Sequence, residues 1–238
     1  MTKWMNKKSM NTKHETQNLE QKILFITGIG TEVGKTICSA ILTKYFNADY
    51  WKPIQSGDLD FSDSMKIKNW VGENAVIHPE IYRLKLAVSP HQSAAEEGVT
   101  ININDFTLPE TQNNLIIEGA GGLMVPLSDS DFMIDLIEKL NIPVALVIRN
   151  YLGCINHSLL SMMVLNQKQI TLKYVILNGN FPADTERVIC KNVPQETEII
   201  RIPDIENLTK ENLESIAKQL TKEEVENKIQ NYHGIVIR

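Results

Sequence analysis

The sequence predicts an α/β domain in which a parallel β-sheet carries helices on both faces. Short runs rich in aliphatic and β-branched residues alternate with helix-length segments along most of the 238-residue chain. Most of these runs lack the polar alternation of a half-exposed strand, so we expect strands buried on both faces, as in parallel sheets. Apolar residues make up 42% of the chain, and no repeat or linker divides it, so we expect a single domain.

The predicted elements follow from these alternating runs, taken in chain order. Six short apolar runs are predicted to be strands: residues 23–27, 50–52, 115–117, 144–148, 174–177 and 199–202. Five longer segments, several preceded by glycine or a capping residue, are predicted to be helices: residues 35–46, 131–140, 154–167, 184–191 and 209–220.

Two parts of the chain are less regular. Pro79, Pro90 and Pro109 interrupt residues 57–114, where we expect loops and short helices over the working edge of the sheet. Residues 1–21 have no hydrophobic periodicity and precede the first strand, so they are predicted to form a flexible N-terminal extension. The ligand-binding domain is then predicted to span residues 22–238.

Composition narrows the possible partners. A formal net charge of −5 gives no overall attraction for nucleic acid, so a small molecule is the expected partner. No apolar run approaches the roughly 20 residues needed to cross a bilayer, and the basic start lacks an apolar signal region, so neither membrane insertion nor secretion is expected. The cysteines, Cys38, Cys154 and Cys190, are odd in number and form no CxxC pair. This pattern argues against a disulfide framework or a thiolate metal site and favours the cytoplasm.

The strongest local motif lies between the first strand and the first helix. The strand at 23–27 runs directly into GIGTEVGKT, residues 28–36, and then into a helix. In that context the loop's backbone N–H groups and the helix N-terminus attract phosphate oxygens, Lys35 reaches the β- and γ-phosphates, and Thr36 can bind Mg²⁺. Ile29 stands where a strict GxxxxGK[ST] pattern has glycine, which leaves an ordinary glycine-rich turn as the alternative. The surrounding strand and helix favour an ATP-binding phosphate loop.

A second motif supplies a carboxylate. Residues 114–122, NLIIEGAGG, read as an apolar strand that ends in Glu118 and a glycine-rich turn, which resembles a Walker-B strand. Ligands gather at the carboxyl ends of parallel strands, so Glu118 is expected beside the phosphate loop, holding Mg²⁺ directly or through water. The alternative is a solvated glutamate that closes a strand.

Three further features stay ambiguous on local chemistry alone. Asp63 precedes a helical stretch, and its residue type favours an N-cap over a metal ligand. Lys52 ends a strand before a proline turn, where a cleft-facing and a surface lysine are equally compatible. Residues 151–157 open a helix whose free N–H groups suit an anion. Their residue types favour a plain helix start, with Cys154 in the core and His157 satisfied locally.

Six motifs in this order resemble those of the dethiobiotin synthetases: TGIGTEVGKT, KPIQSG, FSDS, SPH, EGAGGLMVPL and LGCINH. The similarity spans roughly residues 23–220. It implies a P-loop NTPase-like fold and an ATP-dependent carbon–nitrogen ligase of biotin biosynthesis. Such an enzyme uses Mg²⁺, ATP and CO₂ to close 7,8-diaminopelargonate into the cyclic urea of dethiobiotin, with release of ADP and phosphate.

The resemblance also implies residue roles and reverses the local interpretations of Asp63 and of residues 152–156. Lys35 and Lys52 are implied to be catalytic, and Thr36, Asp63 and Glu118 to surround Mg²⁺. The implied nucleotide-binding residues are Glu32, Val33, Gly34, Lys35, Thr36, Ile37, Asp63, Glu118, Gly119, Ala120, Gly121, Asn178, Gly179, Ile202, Pro203 and Asp204. The implied substrate-binding residues are Ser56, Leu152, Gly153, Cys154, Ile155 and Asn156, the last five serving the neighbouring subunit of a homodimer. Gly30 occupies a place where relatives often carry Asp.

One alternative class shares the same scaffold. Partition and assembly ATPases are P-loop switches built on a parallel sheet, but their phosphate loop typically carries an extra lysine near its start. Residues 27–29 contain no lysine, and KPIQSG has no counterpart in that class. The motifs therefore favour the ligase.

Overall fold

The computed structural model describes residues 21–73 and 75–220. Its strands are β1 (Ile23–Gly28), β2 (Ala48–Trp51), β3 (Ile54–Ser56), β4 (Ile77–His78), β5 (Tyr82–Leu84), β6 (Asn114–Gly122), β7 (Val144–Arg149), β8 (Leu172–Asn178) and β9 (Glu198–Ile202). Its helices are α1 (Lys35–Tyr45), α2 (Asp63–Val71), α3 (Pro90–Glu96), α4 (Met133–Leu140), α5 (Cys154–Gln167), α6 (Ala183–Lys191) and α7 (Lys210–Gln219). The six predicted strands and five predicted helices are all present, with ends that shift by a few residues.

Seven strands form one parallel sheet in the order β4-β2-β6-β1-β7-β8-β9. From β1, at the centre of the sheet, the chain first crosses to β2 on one side. After β6 it returns to β7 on the other side of β1 and continues outwards to β8 and β9. Because parallel crossovers are right-handed, helix α1, which leads towards β2, lies on the opposite face from helices α5 and α6, which lead towards β8 and β9. Helices α1, α2 and α7 pack together, whereas α5 packs on α6 and on β7 and β8. The predicted fold class is confirmed.

The core lies around the central strands. The side chains of β7 from Val144 to Ile148 are fully buried, as are Phe25 and Ile26 of β1. Burial on both faces explains why these strands read as continuous apolar runs. Each central strand ends at the same edge of the sheet, so the loops after β1, β6, β7 and β8 are brought together there.

The region from 57 to 114 contains more strand than the sequence predicts. Strand β4 extends the main sheet, with Ile77 opposite Tyr50, and β5 forms a second, two-stranded parallel sheet with β3. The prediction of loops and short helices there is therefore incomplete. Strands of two or three residues carry no usable period-2 signal, and their partners lie far away in the chain.

Strand β6 also corrects the sequence interpretation. Glu118 does not close this strand, because pairing with β1 continues to Gly28 opposite Gly122, after a bulge. The glycines allow this close approach: a Cβ on Gly119 would lie 2.7 Å from the Phe25 ring, and one on Gly122 would lie 3.1 Å from the Gly28 carbonyl. Glu118 is consequently buried within the strand, with 1% of its surface exposed.

Some predictions fall on the ends of the chain. The predicted extension, residues 1–21, lies outside the described residues except for Gln21, whose amide donates to the carbonyls of Thr111 and Asn113. Residues 221–238 of the predicted domain also lie outside them. In the part of the chain that is described, none of the helices has the length and apolar character needed to cross a membrane.

Candidate active site

The phosphate loop joins β1 to α1, and hydrogen bonds to the backbone carbonyls of Gly30 and Val33 fix its conformation. Gly34 precedes α1 in the left-handed region, with φ of 86°, a conformation that glycine adopts without strain. The Lys35 ammonium donates to the Gly30 carbonyl over 2.9 Å, and the Asn178 amide donates to the Val33 carbonyl over 2.9 Å. Helix α1 has no side-chain cap and no acidic residue in its first turn. Its first N–H groups can therefore bind an anion.

Lys35 is buried beneath this loop. Burial lowers the pKa of Lys35 to about 8, and the nearby charge of Glu118 opposes this effect only in part. An anionic ligand at the helix N-terminus would favour the charged ammonium. Phosphate bound at this position would therefore raise the pKa of Lys35.

Lys52, Asp63, Glu118 and Thr36 form a group that we call the lysine–carboxylate cluster. The Lys52 ammonium lies 2.6 Å from Asp63 Oδ2 and 3.1 Å from Glu118 Oε1. Thr36 donates its hydroxyl to Glu118 Oε1 over 2.9 Å. Burial by itself lowers the pKa of Lys52, but Glu118 and then Asp63 outweigh burial and raise it above its ordinary value. Lys52 is thus a buried cation, and the alternative of a surface lysine is wrong.

Asp63 is not the N-cap that local chemistry favours. Ser62 caps α2 by accepting a hydrogen bond from the Met65 N–H, and Asp63 is the first residue of the helix. Its carboxylate instead contacts Lys52 and, over 3.2 Å, Lys66. Burial alone would raise the pKa of Asp63, but Lys52 and then Lys66 lower it to about 2. The carboxylate is therefore ionised and directed at cations.

These side chains share one cleft of about 780 Å³ at the carboxyl edge of the sheet. The predicted site residues that line it are Glu32, Gly34, Lys35, Thr36, Ile37, Lys52, Ser56, Asp63, Glu118, Ala120 and Gly121. The Ser56 hydroxyl is buried and has no hydrogen-bond partner among the described residues, so it is available to a ligand.

Sequence reasoning missed several residues of this cleft, of which Gln55 and Lys66 contact the cluster most closely. Gln55 accepts a hydrogen bond from the Asp63 N–H. Lys66 lies three residues after Asp63 on α2, and this spacing places both on one helix face. The spacing was the signal that could have identified Lys66.

A second group of predicted residues lies at the ends of β8 and β9. Asn178 is buried and reaches Val33 of the phosphate loop, while the Gly179 N–H donates to the Ile202 carbonyl over 2.8 Å. Asp204 pairs with Arg149 at 3.0 Å. Pro203 lies between Ile202 and Asp204 and is exposed. Of these residues, Asn178 contacts the phosphate loop, and none of them lines the cleft described above.

Residues 152–156 lie outside that cleft in a single chain. Leu152 is fully exposed, and Gly153 begins α5 with φ of 107° and no side-chain cap. Cys154 is buried, and His157 Nδ1 lies 2.7 Å from the Tyr151 hydroxyl. In a single protomer, this segment is therefore an ordinary helix start. Cys154 lies in the core and His157 is hydrogen-bonded to Tyr151, as their residue types indicate.

Comparison with known proteins agrees with the motifs. The family model described as an AAA domain matches residues 22–212. The ATP-dependent dethiobiotin synthetase of Cytophaga hutchinsonii is 44% identical over 201 residues, which cover 84% of this chain and 97% of that protein. The enzyme of the same name from Christiangramia forsetii is 47% identical, over 71% of this chain and 82% of the relative.

A third relative, the ATP-dependent dethiobiotin synthetase of Afipia carboxidovorans, is 40% identical over 80% of this chain and 91% of its own length. The similarity thus extends over most of this chain and over 82% to 97% of the length of these three relatives. It decides between the ligase and the partition-type ATPase in favour of the ligase. The chain belongs to the family of ATP-dependent dethiobiotin synthetases, and the enzyme class predicted from its motifs, an ATP-dependent ligase of biotin biosynthesis, is confirmed.

Proposed function

We propose that this cleft uses Mg-ATP to close 7,8-diaminopelargonate and CO₂ into the cyclic urea of dethiobiotin, with release of ADP and phosphate. The position of Lys52 is the observation that carries the proposal. Lys52 is 4% exposed, and its ammonium lies between Asp63 and Glu118, in the same cleft as Lys35. A reaction that gathers anionic carbamate and phosphate groups needs fixed positive charge at that place.

The donor atoms of the cluster fit a magnesium ion. Two carboxylates, Asp63 and Glu118, and the Thr36 hydroxyl supply the oxygen ligands that this ion prefers. No group of three or more His, Cys, Asp or Glu side chains suited to a metal occurs among residues 21–73 and 75–220. Two acids and a hydroxyl suit an ion that is held jointly with nucleotide phosphates. Bound there, Mg²⁺ would supply Lewis-acid stabilisation of negative charge on the phosphate oxygens.

The substrates supply the bond-forming groups. One amine of the diamine takes up CO₂ as a carbamate, and a carbamate oxygen attacks the γ-phosphorus while ADP leaves. The second amine then attacks the carbonyl carbon of the carbamic–phosphoric anhydride, and phosphate leaves. The protein's task is to hold these groups together and to neutralise charge. We assign Lys35 to the β- and γ-phosphates and Lys52 to the carbamate and γ-phosphate.

The remaining nucleotide contacts are assigned by position. We assign the backbone N–H groups of residues 32–37, at the start of α1, to the phosphates, and Ala120 and Gly121 line the same cleft, with Gly119 buried behind them. Asn178, Gly179 and residues 202–204 lie at the ends of β8 and β9, where we place the adenine. The hydrogen bond from Asn178 to Val33 links that position to the phosphate loop.

We assign substrate recognition to two places. Ser56 offers a buried hydroxyl within the cleft. Residues 152–156 are proposed to bind the substrate carboxylate at the active site of a second copy of the chain. This proposal is supported by the exposed apolar side chains of Leu152, just before α5, and of Leu160 and Met163 on α5, which suit a subunit interface. The three free cysteines suit a reducing cytoplasm, to which we assign the enzyme.

Replacement of Lys52 tests the assignment that carries the proposal. We expect Lys52→Gln to abolish ring closure and to leave nucleotide affinity within severalfold, because Lys52 faces the reacting carbamate more than the nucleotide base. Lys68→Gln is the matched control, since Lys68 lies on exposed α2 surface and outside the cleft. Dethiobiotin formation by Lys52→Gln at the rate of the control would refute the assignment.

A further inference from the structure

The two carboxylate oxygens of Glu118 face different surroundings. Oε1 accepts hydrogen bonds from Thr36 and Lys52, both of which line the cleft. Oε2 accepts a hydrogen bond of 2.9 Å from the Tyr50 hydroxyl. Tyr50 is fully buried and is not part of the described lining of the cleft. A phenol therefore holds this carboxylate from its interior side.

The pairing of β2 with β6 brings Tyr50 and Glu118 together. Tyr50 lies opposite Ile116, two residues before Glu118 on β6. Side chains alternate along a strand, so Ile116 and Glu118 point to the same face, and the long tyrosine side chain reaches its diagonal neighbour. Lys52 follows Tyr50 by two residues and contacts the same carboxylate. The segment after α1 thus supplies two donors to opposite oxygens of Glu118.

Three acidic side chains act on the Tyr50 hydroxyl, and Glu118 is the one that accepts its hydrogen bond. Burial first, then the negative charge of Glu118 and, less strongly, the charges of Asp63 and Glu80 keep the pKa of Tyr50 well above its ordinary value. The phenol is the donor in this contact, because an ionised carboxylate can only accept a hydrogen bond. A neutral donor fixes the orientation of a carboxylate without cancelling the negative charge that a metal ion requires.

We propose that Tyr50 is a positioning residue that holds Oε2 of Glu118 so that Oε1 stays turned towards Thr36, Lys52 and the metal position. The inference rests on the proposed role of Glu118 at the metal. Loss of the hydroxyl would leave a buried carboxylate oxygen without its donor, and the carboxylate would then be free to rotate, so that Oε1 would no longer be held towards Thr36 and the metal position. The aromatic ring fills the core in either case, so only the hydroxyl carries this role.

The variant Tyr50→Phe tests the inference because it keeps the ring and removes the hydroxyl. The readout is the melting temperature of the enzyme–ADP complex as a function of Mg²⁺ concentration, which reports metal binding without turnover. We expect the midpoint of this Mg²⁺ dependence to rise about tenfold or more, the usual effect of losing a residue that orients a metal ligand. ADP affinity measured in EDTA should change less than about twofold by the same reasoning.

Tyr174→Phe is the matched control. It removes the hydroxyl of a partly buried tyrosine on β8 that lies outside the cleft, so the Mg²⁺ midpoint should stay at the wild-type value. An unchanged midpoint in Tyr50→Phe, or an equal shift in Tyr174→Phe, would overturn the inference.

Glu118→Gln separates this inference from the proposal on which it rests. If Glu118→Gln shifts the Mg²⁺ midpoint and Tyr50→Phe does not, the role of Tyr50 is refuted and that of Glu118 stands. If neither shifts it, the metal role of Glu118 is refuted as well. In the double variant, we expect Tyr50→Phe to add nothing further, because it acts through Glu118. Additive shifts would indicate a general packing effect and would also overturn the inference.

Discussion

Lys35 gives the site a pH dependence that can be measured on the binding step alone. Its pKa of about 8 in the nucleotide-free enzyme means that the ammonium loses its proton as pH rises through that value. Bound phosphates favour the charged form, so nucleotide binding takes up a proton. We therefore predict that ATP-analogue affinity falls about tenfold between about pH 7 and pH 9, as proton linkage requires. Isothermal titration calorimetry across this range measures the effect.

The same titration has an internal check. Lys35→Gln removes the ionisable group, so its affinity should be weaker than wild type at neutral pH and nearly constant up to about pH 9. A wild-type profile that is flat, or one that rises with pH, would show that Lys35 is not the group that meets the phosphates.

Among elements of the site, the phosphate loop contains one glycine with a positive φ, Gly34. Gly34 has φ of 86°, and a Cβ there would lie 2.1 Å from the Asn178 amide nitrogen. We predict that Gly34→Ala costs about 1–3 kcal/mol through backbone strain and displaces Asn178 from Val33. The melting temperature should fall by roughly 2–4 °C for each kcal/mol, and nucleotide affinity should fall with it. Differential scanning calorimetry and a nucleotide titration measure the two effects.

Gly30 is the comparison position within the same loop. A Cβ there would find only the Tyr151 hydroxyl, 3.8 Å away, and the backbone is outside the left-handed region. Gly30→Ala should therefore be tolerated, with stability and nucleotide affinity near wild type. Equal losses in the two variants would contradict the assignment of strain to Gly34.

The elements that could be predicted from the sequence are those that carry their own signal. The strands at the centre of the sheet are buried on both faces and read as apolar runs, and α5 follows its predicted bounds because Gly153 and the helical segment mark its start. Strands β4 and β5 were missed, because each has three residues or fewer and pairs with a distant segment. The continuation of β6 past Glu118 was missed because its glycines are as common in turns as in close strand contacts.

The residues of the candidate site also differ in whether the sequence alone predicts them. Lys35 and Thr36 follow from the order of strand, glycine-rich loop and helix. Asp63 stayed ambiguous because aspartate suits both a helix cap and a metal ligand, and only the cap formed by Ser62 separates the two. Tyr50 gave no local signal, since its role depends on the register between β2 and β6.

For the whole molecule, we predict a dimer in which each subunit completes the active site of its partner. Leu160 and Met163 lie three residues apart on one exposed face of α5, and Leu152, two residues before this helix, is also exposed. We predict that Met163→Glu shifts the protein from dimer to monomer in sedimentation velocity and raises the KM for the diamine. The control is Val99→Glu, which places the same charge on exposed apolar surface elsewhere. Active enzyme that sediments only as a monomer would rule out a shared site.

The central claim is that this cleft joins the diamine, CO₂ and Mg-ATP into dethiobiotin. The most direct measurement incubates the purified protein with 7,8-diaminopelargonate, bicarbonate and Mg-ATP, and quantifies dethiobiotin by mass spectrometry together with released phosphate. We predict dethiobiotin and phosphate in equal amounts, with ATP turnover that requires both the diamine and bicarbonate. ATP hydrolysis that proceeds equally well without the diamine, and without dethiobiotin among the products, would contradict the account.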